Sequence, residues 1–359
     1  MRKRLGMVLG LILLGGSAFA GPSIPWMTGE KTWVLGCNYP WIQFGNDFSD
    51  KGYNPVRYRK DIDGMAASGV HVIRFWVFCA MHESPLFSGP KEGSLCTGLP
   101  EGWVKNMVDA TNYAYSKGIR IYYSLISFDI GHKFDDKGKP VPVIHADVVN
   151  NPKVQKSFLD NAVKPIVEAL GSNPGVMAWD MMNEPEWIIQ ESAGDDNLKK
   201  NECFPLSQMR SLLGNMVKYV RPYVKQPISV GSTCIKWTGG PNDYYSGLGL
   251  DFFDIHFYDW MTPWFNPVTI KVSDLNFHTD QGKPVIVGEA MANPVKEYSG
   301  PGKPLSNYQM AVSLYNNGYA GLLSWAWNCD DNIEYKPSMI KDDFIKFYKE
   351  HPPQKAQGK

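Results

Sequence analysis

The chain has 359 residues, and its 36 lysines and arginines balance 36 aspartates and glutamates, for a formal net charge of zero. No basic patch or run of like charge stands out, which argues against nucleic acid or an anionic membrane as partner and favours a neutral one. Hydrophobic residues make up 43%, enough for a large core, and twelve tryptophans supply many flat aromatic faces.

The chain opens with Arg2-Lys3-Arg4, an apolar run from Leu5 to Leu14, and then Ala18-Phe19-Ala20. A charged n-region, a short h-region and a small-residue site predict a secretory signal peptide over residues 1–20, cleaved after Ala20. A membrane anchor would need about 20 apolar residues, and this run is shorter and interrupted by glycine. Cleavage removes three basic residues and no acid, so 36 less three leaves 33 against 36, a formal charge of −3. The product is expected to be secreted or periplasmic, with no membrane span, and monomeric.

Trp33 to Asn38 reads as a first short strand. Pro55 to Ser68 has helical spacing and is closed by Gly69, and Val70 to Phe78 is a β-rich run. Glu101 to Lys117 is helical, with Trp103, Met107, Ala110 and Ala114 on one side and Gly118 behind it, before a strand from Ile119 to Ser127. Helix Pro152 to Leu170 then leads to strand Val176 to Asn183, and helix Leu206 to Tyr223 to strand Pro227 to Ser232. A weak helical turn over Asp243 to Leu250 precedes strand Phe252 to Tyr258. Pro267 to Thr279 is expected to be helical before strand Val285 to Glu289. Helix Pro304 to Asn317, strand Ala320 to Trp325 and helix Pro337 to Tyr348 complete the chain.

Eight apolar strands alternating with helical segments, with no low-complexity linker, predict a parallel sheet covered by helices. Eight such units point to a single closed (β/α)8 barrel over residues 21–359. The alternative, a doubly wound open sheet, lacks the Gly-x-Gly-x-x-Gly turn after its first strand.

In such a barrel the strand C-termini share one face, where the chemistry sits. That face collects Arg74, Asn183, Glu184, His256, Tyr258, Glu289, Trp325 and Trp327. Two of these are carboxylates at strand ends: Glu184 before Pro185, and Glu289 closing Pro284-Val285-Ile286-Val287-Gly288. Breaking an acetal needs an acid for the leaving oxygen and a second carboxylate for the cationic carbon. It needs no metal, cofactor or cysteine, and no motif for any of these is present, so none is expected. Arg74 lies in the apolar run Val72-Ile73-Arg74-Phe75-Trp76, and a buried arginine requires an anionic partner.

Asn-Glu-Pro after the fourth strand, His-x-Tyr after the sixth, Gly-Glu after the seventh and Trp after the eighth resemble the clan of retaining β-glycosidases that includes glycoside hydrolase family 5. The resemblance runs through the whole mature chain in order, and the 105-residue gap from Glu184 to Glu289 fits three β/α units. It implies Glu184 as acid/base and Glu289 as nucleophile. It further implies Asn183 on the sugar 2-hydroxyl, Arg74 and Tyr258 on the nucleophile, His256 near the acid/base, and Trp325 as a sugar platform with Trp327 as a near alternative. One departure is the third strand, Ser124-Leu125-Ile126-Ser127-Phe128-Asp129, which lacks the histidine of many family 5 members; His132 lies a little beyond.

The expected function is a secreted, retaining hydrolysis of β-1,4-linked oligo- or polysaccharide, of glucan or mannan type. An exo-acting enzyme stays open, because the loop Cys79 to Pro100 is long enough to block one end of a cleft. A non-catalytic sugar-binding barrel is the other alternative, although binding alone needs no acid pair. Of the loop tryptophans Trp41, Trp187, Trp237, Trp260 and Trp264, two or three are expected to line the cleft. Six cysteines in an exported chain make disulfides plausible. Loop positions on the barrel suggest pairs Cys79–Cys96 and Cys203–Cys234, with Cys37 and Cys329 free.

Overall fold

The computed structural model describes residues 24–25, 31–134, 139, 145–239, 242–262, 265–291, 305–327 and 338–352. The expected signal segment, Trp264 and Cys329 lie outside them.

Eight parallel strands close a barrel: Val34–Asn38 (β1), Val72–Trp76 (β2), Arg120–Ser127 (β3), Val176–Asn183 (β4), Ile228–Ser232 (β5), Phe253–Phe257 (β6), Val285–Met291 (β7) and Gly321–Trp325 (β8). Each pairs with the next, and β8 pairs back onto β1. All eight residues of β4 are buried, as a strand covered on both faces requires. That is why its sequence reads as an apolar run rather than an alternation.

Helices Pro55–Ala67 (α1) and Trp103–Ser116 (α2) follow β1 and β2. Asn54 caps α1 by accepting from the Arg57 amide, with Pro55 at the position where a missing N–H costs nothing. The expected stripe of α2, Trp103, Met107, Ala110 and Ala114, is buried against the barrel. Gly69 and Gly118 end these helices at φ +81°, and Val70 and Ile119 donate back to the carbonyls of Met65 and Ala114. A side chain would be strained in that left-handed position, so glycine turns the chain into the next strand.

The helix after β3 has a break. Pro152–Phe158 (α3) and Lys164–Leu170 (α4) flank a π-helical turn at Leu159–Val163, next to Pro165, which has no N–H to give the preceding turn. Leu206–Val220 (α5), Asn307–Asn316 (α6) and Ser338–Glu350 (α7) follow β5's predecessor, β7 and β8. The expected helix over Pro267–Thr279 is absent. Two 3-10 turns, Val272–Asp274 and His278–Asp280, stand there instead. Asn266 and Asn276 side chains accept from the Val268 and His278 amides, so they take backbone donors that a helix would use.

Alternate strand residues point inward. The floor of the barrel is an apolar plug that includes Val34, Val72, Tyr122, Ala178, Phe252, Ile286 and Leu323. A much larger cluster fills the space between strands and helices. Above the floor, the inward residues become polar.

Neither expected disulfide forms, and the five described cysteines are thiols. Cys79 turns in beside Trp76, Trp325 and Ala326. Cys96 sits on a short hairpin, Leu86–Phe87 with Cys96–Gly98, that docks outward through Ser157 and Asn161. Cys203 faces the carbonyls of Trp187, Asn197 and Asn201, while Cys234 packs into the main core. Cys79 and Cys96 are claimed by different clusters, whereas Cys203 and Cys234 share the main core but the Cys203 thiol is taken by those carbonyls. Cys37, expected free, is free and lies 3.9 Å from the Met65 sulfur.

Candidate active site

The C-terminal ends of the strands open into a cleft of about 840 Å³. Asn183, Glu184, Tyr258, Glu289 and Trp325 line it, with Trp41, Phe44, Trp76, Phe128, Trp187 and Trp260 among the aromatic walls. Trp41, Trp187 and Trp260 are three of the five loop tryptophans singled out by sequence. Trp237 instead stacks on Tyr244, with ring centroids 5.1 Å apart.

Glu184 stands where β4 ends, at φ +48° and ψ +51°. A non-glycine residue there is uncommon, and Pro185 behind it disfavours the ordinary helical alternative. This backbone conformation aims the carboxyl into the cleft. Its Oε1 lies 2.7 Å from His256 Nδ1, and its Oε2 accepts from Trp187 Nε1 at 2.7 Å. Glu289 comes from β7, across a register shift between Ile255 and His256 on the neighbouring strand. Arg74 Nη1 donates to its Oε1 at 2.6 Å and Tyr258 Oη to its Oε2 at 2.8 Å. Ligand atoms of Glu184, His256 and Glu289 all lie within 4.8 Å of one another.

Arg74 is the hub. It is wholly buried and reaches Glu289, Asp180 Oδ2 at 2.6 Å and Asn183 Oδ1 at 2.8 Å, with Asp254 Oδ2 3.8 Å from its Nε. Its guanidinium also lies over the Trp76 ring, 4.3 Å from the centroid. Burial works against its charge, but Asp180, Asp254 and Glu289 outweigh this and hold its pKa above the ordinary range. Two glycines make room: a Cβ on Gly231 would lie 2.5 Å from Arg74 Nη2, and one on Gly288 would lie 1.9 Å from Asp254 Oδ1.

The two carboxyls have unlike surroundings. Burial pushes Glu184 up to about 7, with the Trp187 hydrogen bond and distant Arg74 pulling the other way. Burial also raises Glu289, helped by Glu184, but Arg74 and Tyr258 oppose it directly. An arginine at 2.6 Å stabilises an anion far more than an indole does, so the first proton belongs on Glu184. Burial lowers His256 to about 4 and keeps it neutral; its Nδ1 faces the acid pair, while Nε2 lies on the far side of the ring, 4.0 Å from Asp254 Oδ1.

Seven of the eight residues expected at the site meet there. Trp327 does not: its ring packs at Gly64 of α1, 3.1 Å from where a Cβ would be, outside the barrel wall. Trp325 takes the cleft position and meets Trp76 edge-on at 5.5 Å. Where a third-strand histidine is missing, Ser127 accepts from Asn183 Nδ2 at 3.2 Å, and His132 lines the cleft farther out. Sequence reasoning missed Asp180, Asp254 and Tyr122, which donates to Asp254 Oδ2 at 3.0 Å. The signal was available, since an acid inside an apolar strand is as unusual as Arg74.

No family model matches the chain. It is 24% identical over 344 residues to the mannan endo-1,4-β-mannosidase of Cryptopygus antarcticus, covering 84% of this chain and 81% of that protein. The corresponding enzyme of Mytilus edulis is 22% identical over 341 residues, covering 84% and 85%. The crystal structure of endo-1,4-β-mannanase from Eisenia fetida superposes with a TM-score of 0.75 at 20% identity, covering 89% of this chain and 91% of that one. These likenesses bear out the (β/α)8 fold and the resemblance to family 5 barrels.

Proposed function

This chain is a glycoside hydrolase, and we propose that it is an endo-acting β-1,4-mannanase that retains anomeric configuration. The observation that carries the reading is the acid pair itself: Glu184 and Glu289 present carboxylate oxygens within 4.8 Å of each other in one cleft. Retaining enzymes hold their carboxyls about 5–5.5 Å apart, whereas inverting ones leave about 6.5–9.5 Å for a water. Mannan as substrate is supported by the two curated relatives, both mannan endo-1,4-β-mannosidases.

In this reading Glu289 attacks the anomeric carbon while Glu184 gives its proton to the departing glycosidic oxygen. Water then displaces the glycosyl ester, and Glu184 takes the proton back. Arg74 keeps Glu289 ionised, and Tyr258 holds its second oxygen until the sugar arrives. Asn183 is oriented for the 2-hydroxyl by Arg74 and Ser127. Neutral His256 holds Glu184 Oε1 through Nδ1 at 2.7 Å and adds no charge beside it. Trp325 offers its face to the reacting sugar.

Internal cleavage is supported by the long loop after β2. Its hairpin docks outward: Gly93 donates to Asp147, and Phe87 stacks on His145 at 3.5 Å. Only Ala80 and His82 of that loop reach the cleft, so it does not wall off an end. Export is supported by the N-terminal segment read from sequence.

The test is product analysis on mannan, manno- and cello-oligosaccharides, with proton NMR of the first-formed anomer. Release of mid-length β-anomeric manno-oligosaccharides is expected; release of single sugars from one end, or of the α-anomer, refutes it. Glu289→Ala should lose all turnover, and azide should restore bond cleavage with inverted product.

A further inference from the structure

Trp187 holds one oxygen of Glu184, as His256 holds the other. Glu184 stands just before a single 3-10 turn, Pro185–Ile188, that contains Trp187, and the indole N–H reaches back to Glu184 Oε2 at 2.7 Å. The turn is pinned from below. Buried Glu186 accepts from Ser232 Oγ at 2.5 Å and from the Thr233 amide at 3.1 Å, and Asn201 Nδ2 donates to the Trp187 carbonyl at 3.4 Å. Phe128 packs against the indole, with centroids 6.3 Å apart. The ring therefore has little freedom to leave its position.

An indole N–H donates and never accepts. A donor-only partner at 2.7 Å favours the carboxylate over the acid, which opposes burial. His256 on the other oxygen has no such bias, because a neutral imidazole serves either state. A retaining acid/base must be an acid in the first half of the reaction and a base in the second. Burial alone favours the first role.

We propose that Trp187 is a positioning residue for the second half: it clamps Glu184 Oε2 and favours the carboxylate form that activates water. This rests on Glu184 being the acid/base. Removing the indole N–H leaves the first half intact with an activated leaving group and slows release of the glycosyl enzyme.

The experiment compares Trp187→Phe with wild type on mannopentaose and on a 2,4-dinitrophenyl β-mannobioside, whose leaving group needs no acid. On mannopentaose the basic limb of the kcat/KM profile should move up by roughly 1–2 pH units, the equivalent of one hydrogen bond to a charged group. On the dinitrophenyl substrate kcat and KM should fall together, with kcat/KM unchanged and a burst of dinitrophenol. Trp187→Leu makes the same prediction with a different shape, so one folded variant suffices. An unmoved limb, or a loss confined to kcat/KM on both substrates, overturns the inference. So does failure of both variants to fold, since Trp187 would then be structural. Glu184→Ala run alongside separates the two ideas: if it keeps a basic limb, the assignment of Glu184 itself fails.

Discussion

Val72 and Arg74 sit two residues apart on one strand and face the same barrel interior, yet they belong to different worlds. The floor around Val72 is apolar and holds itself together by burial, at about 25 cal/mol per Å² removed from water. The layer around Arg74 is a buried cation among Asp180, Asp254 and Glu289. Taking those charges out of water costs more than a matched apolar layer would, and burial accordingly drives Asp254 well above the carboxylate range. One turn of the pleat therefore separates residues that stabilise the fold from residues that are held, at some cost, for chemistry.

The sharpest way to break the contrast is to remove the hub. Arg74→Met strands three acids, so we expect a loss of about 3–5 kcal/mol in stability and near-complete loss of activity. In whatever folds, the acid limb of the pH–rate profile moves upward, because Glu289 loses the cation that favours its charge. Denaturant melts and pH-dependent kinetics measure both, and an unmoved acid limb would count against Arg74 acting on Glu289. In the floor, Phe252→Ala should cost about 3–5 kcal/mol by leaving a cavity, with kcat/KM of the folded enzyme nearly unchanged at low temperature. A fall in kcat/KM matching that of Arg74→Met would erase the distinction between the layers.

The smallest expected effect concerns Glu186, which lies beside the charged layer without touching the cleft. Burial raises it to about 7. Between its unfolded value near 4.5 and about 7 the folded chain binds the extra proton, so stability falls as pH rises through that window. Glu186→Gln should flatten this part of the Tm–pH curve. A slope unchanged from wild type would place the buried proton elsewhere.

Much of the site was legible because it is written at strand ends. Asn183 and Glu184 stop an apolar run at Pro185, Glu289 ends another, and Arg74 interrupts a third. The barrel itself follows from eight such runs separated by glycine-capped helices, because period and caps are local properties of the chain. The helix expected over Pro267–Thr279 does not form for an equally local reason, since two asparagine side chains compete for its amides.

What sequence could not reach is whatever depends on direction across the barrel. Trp325 and Trp327 are two residues apart, but one faces the cleft and the other packs against α1. Cys79 and Cys96 bracket one loop, yet the hairpin turns outward and carries Cys96 with it. The ends of strands determined which residues could do chemistry. Only the closure of the barrel, with its register and loop directions, decided that Arg74 would meet Glu289 from 215 positions away and that an indole would reach back to Glu184.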